Sequence, residues 1–502
     1  MGLDPATVRS ISGFLHRLAA KNSPRLILAL RPQDNLPDWI THVVILGNFN
    51  QVLLQGTRAE VDHTLNVWKH LYKRRMPALP GNDGKILQKA KDDIEKGILD
   101  RQLLWDLKLI PSKPGQLGNV TAMAGEPLIE MDGVRVQYGD KMVLGDWKQE
   151  VNGEQKEGLH WTVRRGQRWV VLGANGSGKT TLLSLITSDH PQAYAMPMKL
   201  FGRSRLPEPG KPAISLFELQ SRMGHSSPEI HAFFPRQLSI RQAVESAFAE
   251  TFLSKPKLNH ERDLDVSAAL RFFKAELDPN AAVTTKEDPP RISTTSKDLF
   301  PKILRSHQPY IPADYDVEYA DSVTFGQLNT AQQRVVLFLR ALIHRPDIII
   351  LDEAFSSMPA SLRDKCIHFL ETGEHGRSKV TSVTRRTTAE DTWLKGFNID
   401  PSSIRHHGLS DDQALVMISH VKEEIPDSVR YYMRLPSDPG DGSEPLDFRF
   451  GMLKHTSAMS DPAIWDVAWS PGSEFVKNVR RSWRRKDSDE ARDEEVYEWY
   501  SM

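Results

Sequence analysis

The segment GANGSGKT, residues 173–180, places glycines ahead of a lysine and a threonine in the spacing GxxxxGKT. The apolar run RWVVL precedes it and TLLSLIT follows it, so a strand leads into the segment and a helix leads out. Such a loop points backbone N–H groups at one anion, and the helix N-terminus adds its positive dipole end. Lys179 can then reach the β and γ phosphates of a nucleotide, and the Thr180 hydroxyl can hold Mg²⁺. The spacing therefore predicts a nucleotide-binding P-loop, formed by Gly173, Ala174, Asn175, Gly176, Ser177, Gly178, Lys179, Thr180 and Thr181.

A second pattern lies in DIIILDEA, where an apolar run ends in Asp352 and Glu353. Asp352 would hold Mg²⁺, directly or through water, and Glu353 would orient or deprotonate the attacking water. The same letters also fit a buried strand that ends in a solvated acidic turn. The position downstream of a P-loop favours the first interpretation.

A third pattern is LVMISHVKEEIPDSV, in which His420 ends an apolar strand. A lone histidine is usually structural. At the carboxyl end of a strand in an α/β domain, however, the side chain lies where ligands bind. We therefore expect His420 to contact the γ-phosphate, with a structural role as the alternative.

In this order, the three segments resemble the nucleotide-binding domain of the ABC ATPase family, over most of residues 127–455. The resemblance implies an α/β P-loop NTPase fold with a helical subdomain, and ATP and Mg²⁺ as ligands. It implies that Glu353 and His420 are catalytic and that Tyr138, in VRVQYGDKMVL, stacks on adenine. The family's signature motif, typically LSGGQ, contacts ATP held by an opposing domain; its place here is taken by Leu328, Asn329, Thr330, Ala331 and Gln332. The segment SLITSDHPQAYAMPMKLFGRSR is most similar to soluble tandem ABC ATPases of fungi, akin to bacterial tandem ATPases associated with molybdate transport.

Several positions depart from the family pattern. Asn329 can still cap the signature helix, but the missing glycines restrict how closely the backbone approaches phosphate. Pro228, with Glu229 beside it, stands where the family has a glutamine that senses Mg²⁺. Met358 and Pro359 occupy the neighbourhood of an expected aspartate. These departures predict slow hydrolysis.

An internal repeat suggests the domain organisation. LILALRPQDNLPDWITHVVIL, from residue 26, aligns without a gap with LVMISHVKEEIPDSVRYYMRL, from residue 415, and PATVR echoes PASLR. Residues 1–108 are therefore expected to be the C-terminal remnant of a first ABC domain, whose P-loop, signature and Asp–Glu strand would lie upstream of Met1. The alternative interpretation of the opening residues is a mitochondrial presequence rather than a helix of a folded domain.

Local patterns predict the remaining organisation. RLILALR, THVVILG and QVLLQG indicate strands, the last two as a hairpin, and a charged helix is expected from about Gly84 to Leu107. A linker is predicted at 109–126 and a complete ABC domain at 127–455, with loop insertions at about 275–300 and 372–412. Residues 456–502 are expected to form a charged tail containing tryptophans. Its RRSWRRK cluster could touch nucleic acid or anionic lipid, but the acidic run that follows favours a self-neutralising tail.

Composition excludes some functional classes. Lys plus Arg equals Asp plus Glu, at 65 each, so nucleic-acid binding is not indicated. The single cysteine, Cys366, excludes an internal disulfide. With no membrane span, an intracellular protein is expected, cytoplasmic or mitochondrial. We expect an ATPase that couples Mg·ATP binding to domain closure on an unknown partner; the alternatives are a weakly hydrolysing nucleotide-gated scaffold and the ATPase subunit of a transporter with separate membrane subunits. The expected partner is another ABC domain, in a longer chain or in a homodimer.

Overall fold

The structure is a computed structural model. It describes residues 5–21, 25–30, 32, 36–71, 81–100, 103–104, 107, 109, 125–210, 212–279, 317–374, 404–437, 445–453, 459, 462–470 and 497–498. The chain forms two compact units, a smaller one that includes Pro5–Gln116 and a larger one that includes Leu117–Arg386 and Glu390–Met502. The division falls inside the predicted linker.

The smaller unit is built around one hairpin. Its elements are α1 (Pro5–Ala20), β1 (His42–Leu46), β2 (Val52–Thr57), α2 (Arg58–Trp68) and α3 (Asn82–Glu95). The strands are antiparallel, as predicted for THVVILG and QVLLQG. Helix α2 begins with a capping box, in which the Thr57 and Glu60 side chains each bond the other's backbone N–H. The buried core consists of Leu53, Trp68, Ala90, Leu99, Leu104 and Leu109.

Two predictions for this unit were wrong. RLILALR forms no strand in its described residues 25–30, where Ile27 is fully exposed. The charged helix ends at Glu95 rather than near Leu107, because Gly97 adopts φ +69° and its N–H bonds back to Ile94 O. Helix α1 forms as predicted, but Phe14 on its apolar face is 54% exposed.

The larger unit contains most of the regular structure. Its strands are β3 (Pro127–Val134), β4 (Val136–Tyr138), β5 (Lys141–Leu144), β6 (Lys148–Val151), β7 (Glu154–Glu157), β8 (Leu159–Arg164), β9 (Arg168–Leu172), β10 (Met198–Leu200), β11 (Met223–Ser226), β12 (Ile348–Asp352), β13 (Ala414–Ile418), β14 (Tyr431–Arg434), β15 (Arg449–Leu453) and β16 (Tyr497–Glu498). Its helices are α4 (Lys179–Thr187), α5 (Leu216–Arg222), α6 (Pro228–Phe233), α7 (Ile240–Glu245), α8 (His260–Phe272), α9 (Lys274–Leu277), α10 (Tyr319–Ser322), α11 (Thr330–Ile343), α12 (Ala360–Thr372) and α13 (Pro462–Ala468).

A seven-stranded sheet organises this unit, in the order β11-β12-β13-β9-β14-β15-β16. The strands from β11 to β14 in this order run parallel, and β15 is antiparallel to both of its neighbours, β14 and β16. Along β12, Ile349 and Leu351 pack into one buried core while Ile348 and Ile350 pack into another, because successive side chains point to opposite faces. A second, antiparallel sheet has the order β10-β3-β8. The predicted α/β P-loop fold is confirmed.

Several of the described residues after 455 are packed, within the segment predicted as a charged tail containing tryptophans. Trp465 and Trp469 join the main buried core. The guanidinium of Arg434, which is fully buried, donates hydrogen bonds to Ala468 O and Ser470 O at 2.7 Å. Folded structure therefore extends at least to Ser470. The RRSWRRK cluster, and most of the linker and of both predicted insertions, lie outside the described residues.

The two copies of the repeat share an order of elements. Helix α1 is followed by β1, β2 and α2, and helix α12 is followed by β13, β14, β15 and α13. The pairs β1–β2 and β14–β15 are both antiparallel. Residues 25–30 contain no counterpart of β13. That residues 1–108 are part of a first ABC domain stays a prediction.

Candidate functional site

The loop between β9 and α4 requires glycine at its end. Gly178 adopts φ +93° as the N-cap of α4, a conformation that glycine tolerates best. A Cβ at this position would lie 2.6 Å from Val143 O. Gly176 is also left-handed, at φ +84°, but has open space around it. These glycines turn the backbone so that its amides can face a ligand at the start of α4.

The side chain of Lys179 folds back into the loop that precedes it. Its Nζ donates to Gly173 O at 2.8 Å and to Ala174 O at 2.9 Å, and the residue is 8% exposed. Thr180 is exposed in the first turn of α4. The Ser177 hydroxyl is buried and has no hydrogen-bond partner among the described residues. The other predicted loop residues, Asn175 and Thr181, are exposed and half-buried respectively.

Asp352 ends β12 as a nearly buried carboxyl group, at 6% exposure. Burial raises its pKa to about 7, with a further rise from the Glu229 and Glu353 carboxylates. The charges of Lys179 and Arg334 act in the opposite direction. Asp352 therefore lies within electrostatic reach of the P-loop lysine, as the sequence predicts for one site.

Glu353 is held in a left-handed conformation, with φ +46°. Its N–H donates to Ile418 O at 3.0 Å, and its carbonyl accepts from Arg334 at 2.6 Å and from the Ser356 N–H at 3.1 Å. One carboxylate oxygen lies 3.4 Å from Nε2 of His420. The contact with His420 holds the pKa of Glu353 below its usual value, against the effect of burial.

His420 is buried at the carboxyl end of β13, with its side chain 2% exposed. Its ring lies 6.3 Å from that of Trp469. Neither ring nitrogen makes a well-formed hydrogen bond within the described part of the chain. The structure thus brings His420 to Glu353, and its contact with a phosphate stays a prediction.

Known proteins are similar to this chain in sequence. The family model described as ABC transporter matches residues 157–204. An uncharacterized ABC transporter ATP-binding protein of Schizosaccharomyces pombe is 28% identical over 429 residues, which cover 85% of this chain and 60% of the relative. Another from Saccharomyces cerevisiae is 31% identical over 382 residues, 74% of this chain and 58% of the relative. The Escherichia coli ABC transporter ATP-binding protein ModF is 24% identical over 286 residues, 56% of this chain and 46% of ModF.

The family model and these relatives support an ABC ATPase family for this chain. The predicted resemblance to fungal members and their bacterial relatives is confirmed. The chain spans at most about 60% of the length of these relatives. No helix among its described residues has both the length and the apolar character needed to cross a membrane.

The residues predicted to take the place of the signature motif make hydrogen bonds within the larger unit. Asn329 caps α11 by accepting from the Gln332 N–H at 3.0 Å, which confirms the predicted cap. The Gln332 side chain accepts from the Asn329 N–H at 2.9 Å and donates to Glu276 O at 2.6 Å. Leu328 is buried, whereas Thr330 and Ala331 lie in the first turn of α11. The glutamine that the sequence retains is thus bonded on both sides.

The aromatic residue expected at adenine, Tyr138, is half-exposed at the end of β4. Its hydroxyl bonds Nε2 of the buried His190. Nδ1 of His190 accepts from the Gln192 N–H at 3.1 Å, so Nε2 carries the proton and donates to Tyr138. Burial lowers the pKa of His190, consistent with a neutral ring. The sequence analysis missed His190, although it lies in the quoted SDHPQAY segment.

Two further charged residues act near Asp352 and Glu353. Glu229, which the sequence places beside Pro228, adds to the rise in the pKa of Asp352, whereas Pro228 begins α6 and carries no polar side chain. Arg334, on α11, reaches the backbone of Glu353. The only signal for Arg334 in the sequence is an arginine one turn after the signature position.

Proposed function

We propose that this chain binds Mg·ATP at the P-loop and hydrolyses it slowly, using nucleotide-driven closure of ABC domains to act on a partner. The observation that carries the proposal is the mutual electrostatic influence of Lys179, Asp352 and Glu353. They come from two separate segments, which meet at the carboxyl edge of one parallel sheet, where ligands bind in such folds.

The residues present fit a nucleotide with its metal ion. The loop offers left-handed glycines, a buried lysine and the unpartnered Ser177 hydroxyl. No group of three or more His, Cys, Asp or Glu residues in the described ranges could hold a metal on its own. Mg²⁺ often binds through one or two carboxylates plus substrate phosphates, which the single buried Asp352 suits.

Each side chain then has a distinct role. Lys179 would bind the phosphate oxygens, and Thr180 with Asp352 would hold Mg²⁺. Glu353 would accept the proton of the attacking water, with His420 holding its carboxylate in place. Tyr138 would stack on the base. Bound Mg·ATP supplies the phosphoryl group with part of its charge neutralised.

The engaged Gln332 favours slow turnover, since its donors and acceptor already serve Asn329 and Glu276. A second ABC domain, in a longer chain or in a homodimer, is the partner we propose at this surface. Residues 1–108 would belong to another such domain.

The hydrogen bonds that engage Gln332 also support a second candidate function, a nucleotide-gated scaffold. The names of the relatives, ABC transporter ATP-binding proteins, also keep a transporter subunit as a candidate.

Calorimetry with Mg·ATP tests the binding site. Lys179→Ala should weaken binding at least tenfold, or about 1.4 kcal/mol, because it removes the charged contact to the phosphates. Lys199→Ala is the matched control, since Lys199 is exposed on the short edge strand β10. Equal affinity of Lys179→Ala and the parent would refute the assignment.

Turnover tests the catalytic assignment. Glu353→Gln should keep ATP affinity and abolish phosphate release, because an amide cannot accept the proton. The parent should turn over below the usual enzyme range of about 1–1,000 per second. A rate inside that range would show that the signature position is more competent than its hydrogen bonds indicate.

A further inference from the structure

We propose that Arg334 is a positioning residue that holds Glu353 in its left-handed conformation and links the signature helix α11 to the hydrolytic site. The inference deepens the proposed function and rests on it for the role of Glu353. Among the described residues, Arg334 makes no hydrogen bond to the P-loop backbone or to Tyr138. Its effect would therefore pass through Glu353.

The first step concerns the backbone of Glu353. A non-glycine residue at φ +46° is strained and persists only where its surroundings fix it. Ile418 O accepts the Glu353 N–H, which holds one side of the residue. On the other side, the Glu353 carbonyl accepts from the Arg334 guanidinium at 2.6 Å. Hydrogen bonds to charged groups are about twice as strong as neutral ones, so Arg334 supplies a strong restraint.

The second step concerns the surroundings of Arg334. Burial lowers the pKa of its guanidinium, while Glu353, Glu424 and Asp352 raise it, in that order. Nε of Arg334 is buried and has no hydrogen-bond partner within the described residues. Burying a guanidinium is costly and is offset only by carboxylates and acceptors in good geometry. The side chain is thus fixed among acidic groups of the hydrolytic site instead of extending into solvent.

The third step concerns position along the helix. Helix α11 begins at Thr330, so Arg334 lies one turn behind the signature residues. Residues four apart on a helix lie on the same face. A second domain that engaged or displaced Asn329 and Gln332 would move the start of α11, and Arg334 with it. Arg334 would carry that displacement to the residue that activates water.

Hydrogen exchange in the nucleotide-free chain tests the positioning without any turnover. The Ser356 N–H, bonded to Glu353 O, and the Glu353 N–H report on this turn. Arg334→Met fills similar space without a donor, and should speed exchange of these amides about tenfold or more. Arg334→Lys keeps a charged donor and should restore most of the protection. Unchanged exchange in Arg334→Met, with melting temperature as the folding check, would overturn the proposal.

Turnover and affinity then separate this inference from the proposed function. Arg334→Met should lower kcat about tenfold to a hundredfold, since small misplacements of catalytic groups have effects of that size. ATP affinity should stay within about twofold, because the P-loop contacts are intact. If Arg334→Met has the kcat of the parent, the inference is overturned. The proposed function would still stand in that case, provided that Lys179→Ala weakens ATP binding. If the parent hydrolyses no ATP, the hydrolase proposal fails and the exchange measurement still decides whether Arg334 positions Glu353.

Discussion

Replacing Asp352 with asparagine should stabilise the nucleotide-free fold while impairing the metal site. Strand β12 ends at Asp352, and Asp347 directly precedes its first residue, Ile348. The strand therefore has an aspartate at each end. Arg165 and Arg222 donate to Asp347 at 2.7 and 2.6 Å. Burial opposes ionisation of Asp347, but the two arginines outweigh it and lower the pKa of that carboxyl group. Asp352 has the opposite balance.

The size of the effect follows from the pKa of Asp352, which rises from 3.8 to about 7. The unfolded chain releases this proton near pH 4, whereas the folded chain keeps it until about pH 7. The free energy of unfolding therefore falls as pH rises through this window, and the whole penalty is present above pH 7. At about 1.4 kcal/mol per pKa unit, the upper bound on the penalty is about 4 kcal/mol.

Urea unfolding measures this penalty. The parent, Asp352→Asn and Asp347→Asn are unfolded at pH 5 and at pH 8, without nucleotide and with a chelator present. Asp352→Asn should be more stable than the parent by up to about 4 kcal/mol at pH 8, and by much less at pH 5. Asp347→Asn, the matched control on the same strand, should be less stable at pH 8 because Arg165 and Arg222 lose a charged partner. Added Mg·ATP should then stabilise the parent more than Asp352→Asn.

The reasoning fails if Asp352→Asn is destabilising at pH 8. It also fails if the gain is the same at both pH values, because the penalty would then not arise from ionisation. Loss of stability in both Asp352→Asn and Asp347→Asn would show that Asp352 is compensated by its neighbours, as Asp347 is.

The remaining predictions concern the base contact and the signature helix. Tyr138→Phe and His190→Leu should each weaken ATP binding about two- to tenfold by calorimetry, since each removes the same hydrogen bond; the double variant should be no weaker, and additive losses would show independent roles. Asn329→Ala should lower the free energy of unfolding by about 1 kcal/mol in urea, because the Gln332 N–H loses its cap. Thr330→Ala, which removes no cap, is its control, and equal losses in the two variants would contradict the capping argument.

The sequence predicts that the candidate site residues lie at one edge of the sheet, because that placement follows from one rule of parallel sheets. The loop of Lys179, the Asp352 side chain and His420 each lie at or just beyond the end of an apolar run. Strands β9, β13 and β12 are neighbours and run parallel, so their carboxyl ends meet at one edge. Spacing and strand direction therefore suffice to gather these side chains, without any knowledge of long-range packing.

Other features depend on contacts that no local pattern encodes. Gln332 is engaged by the carbonyl of Glu276, which is distant in sequence, so the motif letters alone suggest a free side chain. The run RLILALR has strand propensity, yet a strand needs a neighbour to pair its backbone groups, and residues 25–30 have none among the described residues. Trp465 and Trp469 lie in the apolar segment AIWDVAW, ahead of the charged run that begins at residue 480, and both indoles are buried in the main core.

The charge balance at the two ends of β12 distinguishes a structural cluster from a site for a ligand. At Asp347 one carboxylate meets two arginines, and its pKa falls. At Asp352 burial is the main cause of the raised pKa, and the Glu229 and Glu353 carboxylates add to it against the charges of Lys179 and Arg334. A cluster that served stability alone would gain from removing one of these carboxylates. Bound cations are often the largest local charges in a site and reverse such shifts, so the excess of negative charge is explained if the cluster exists to receive Mg²⁺ beside the phosphates of ATP.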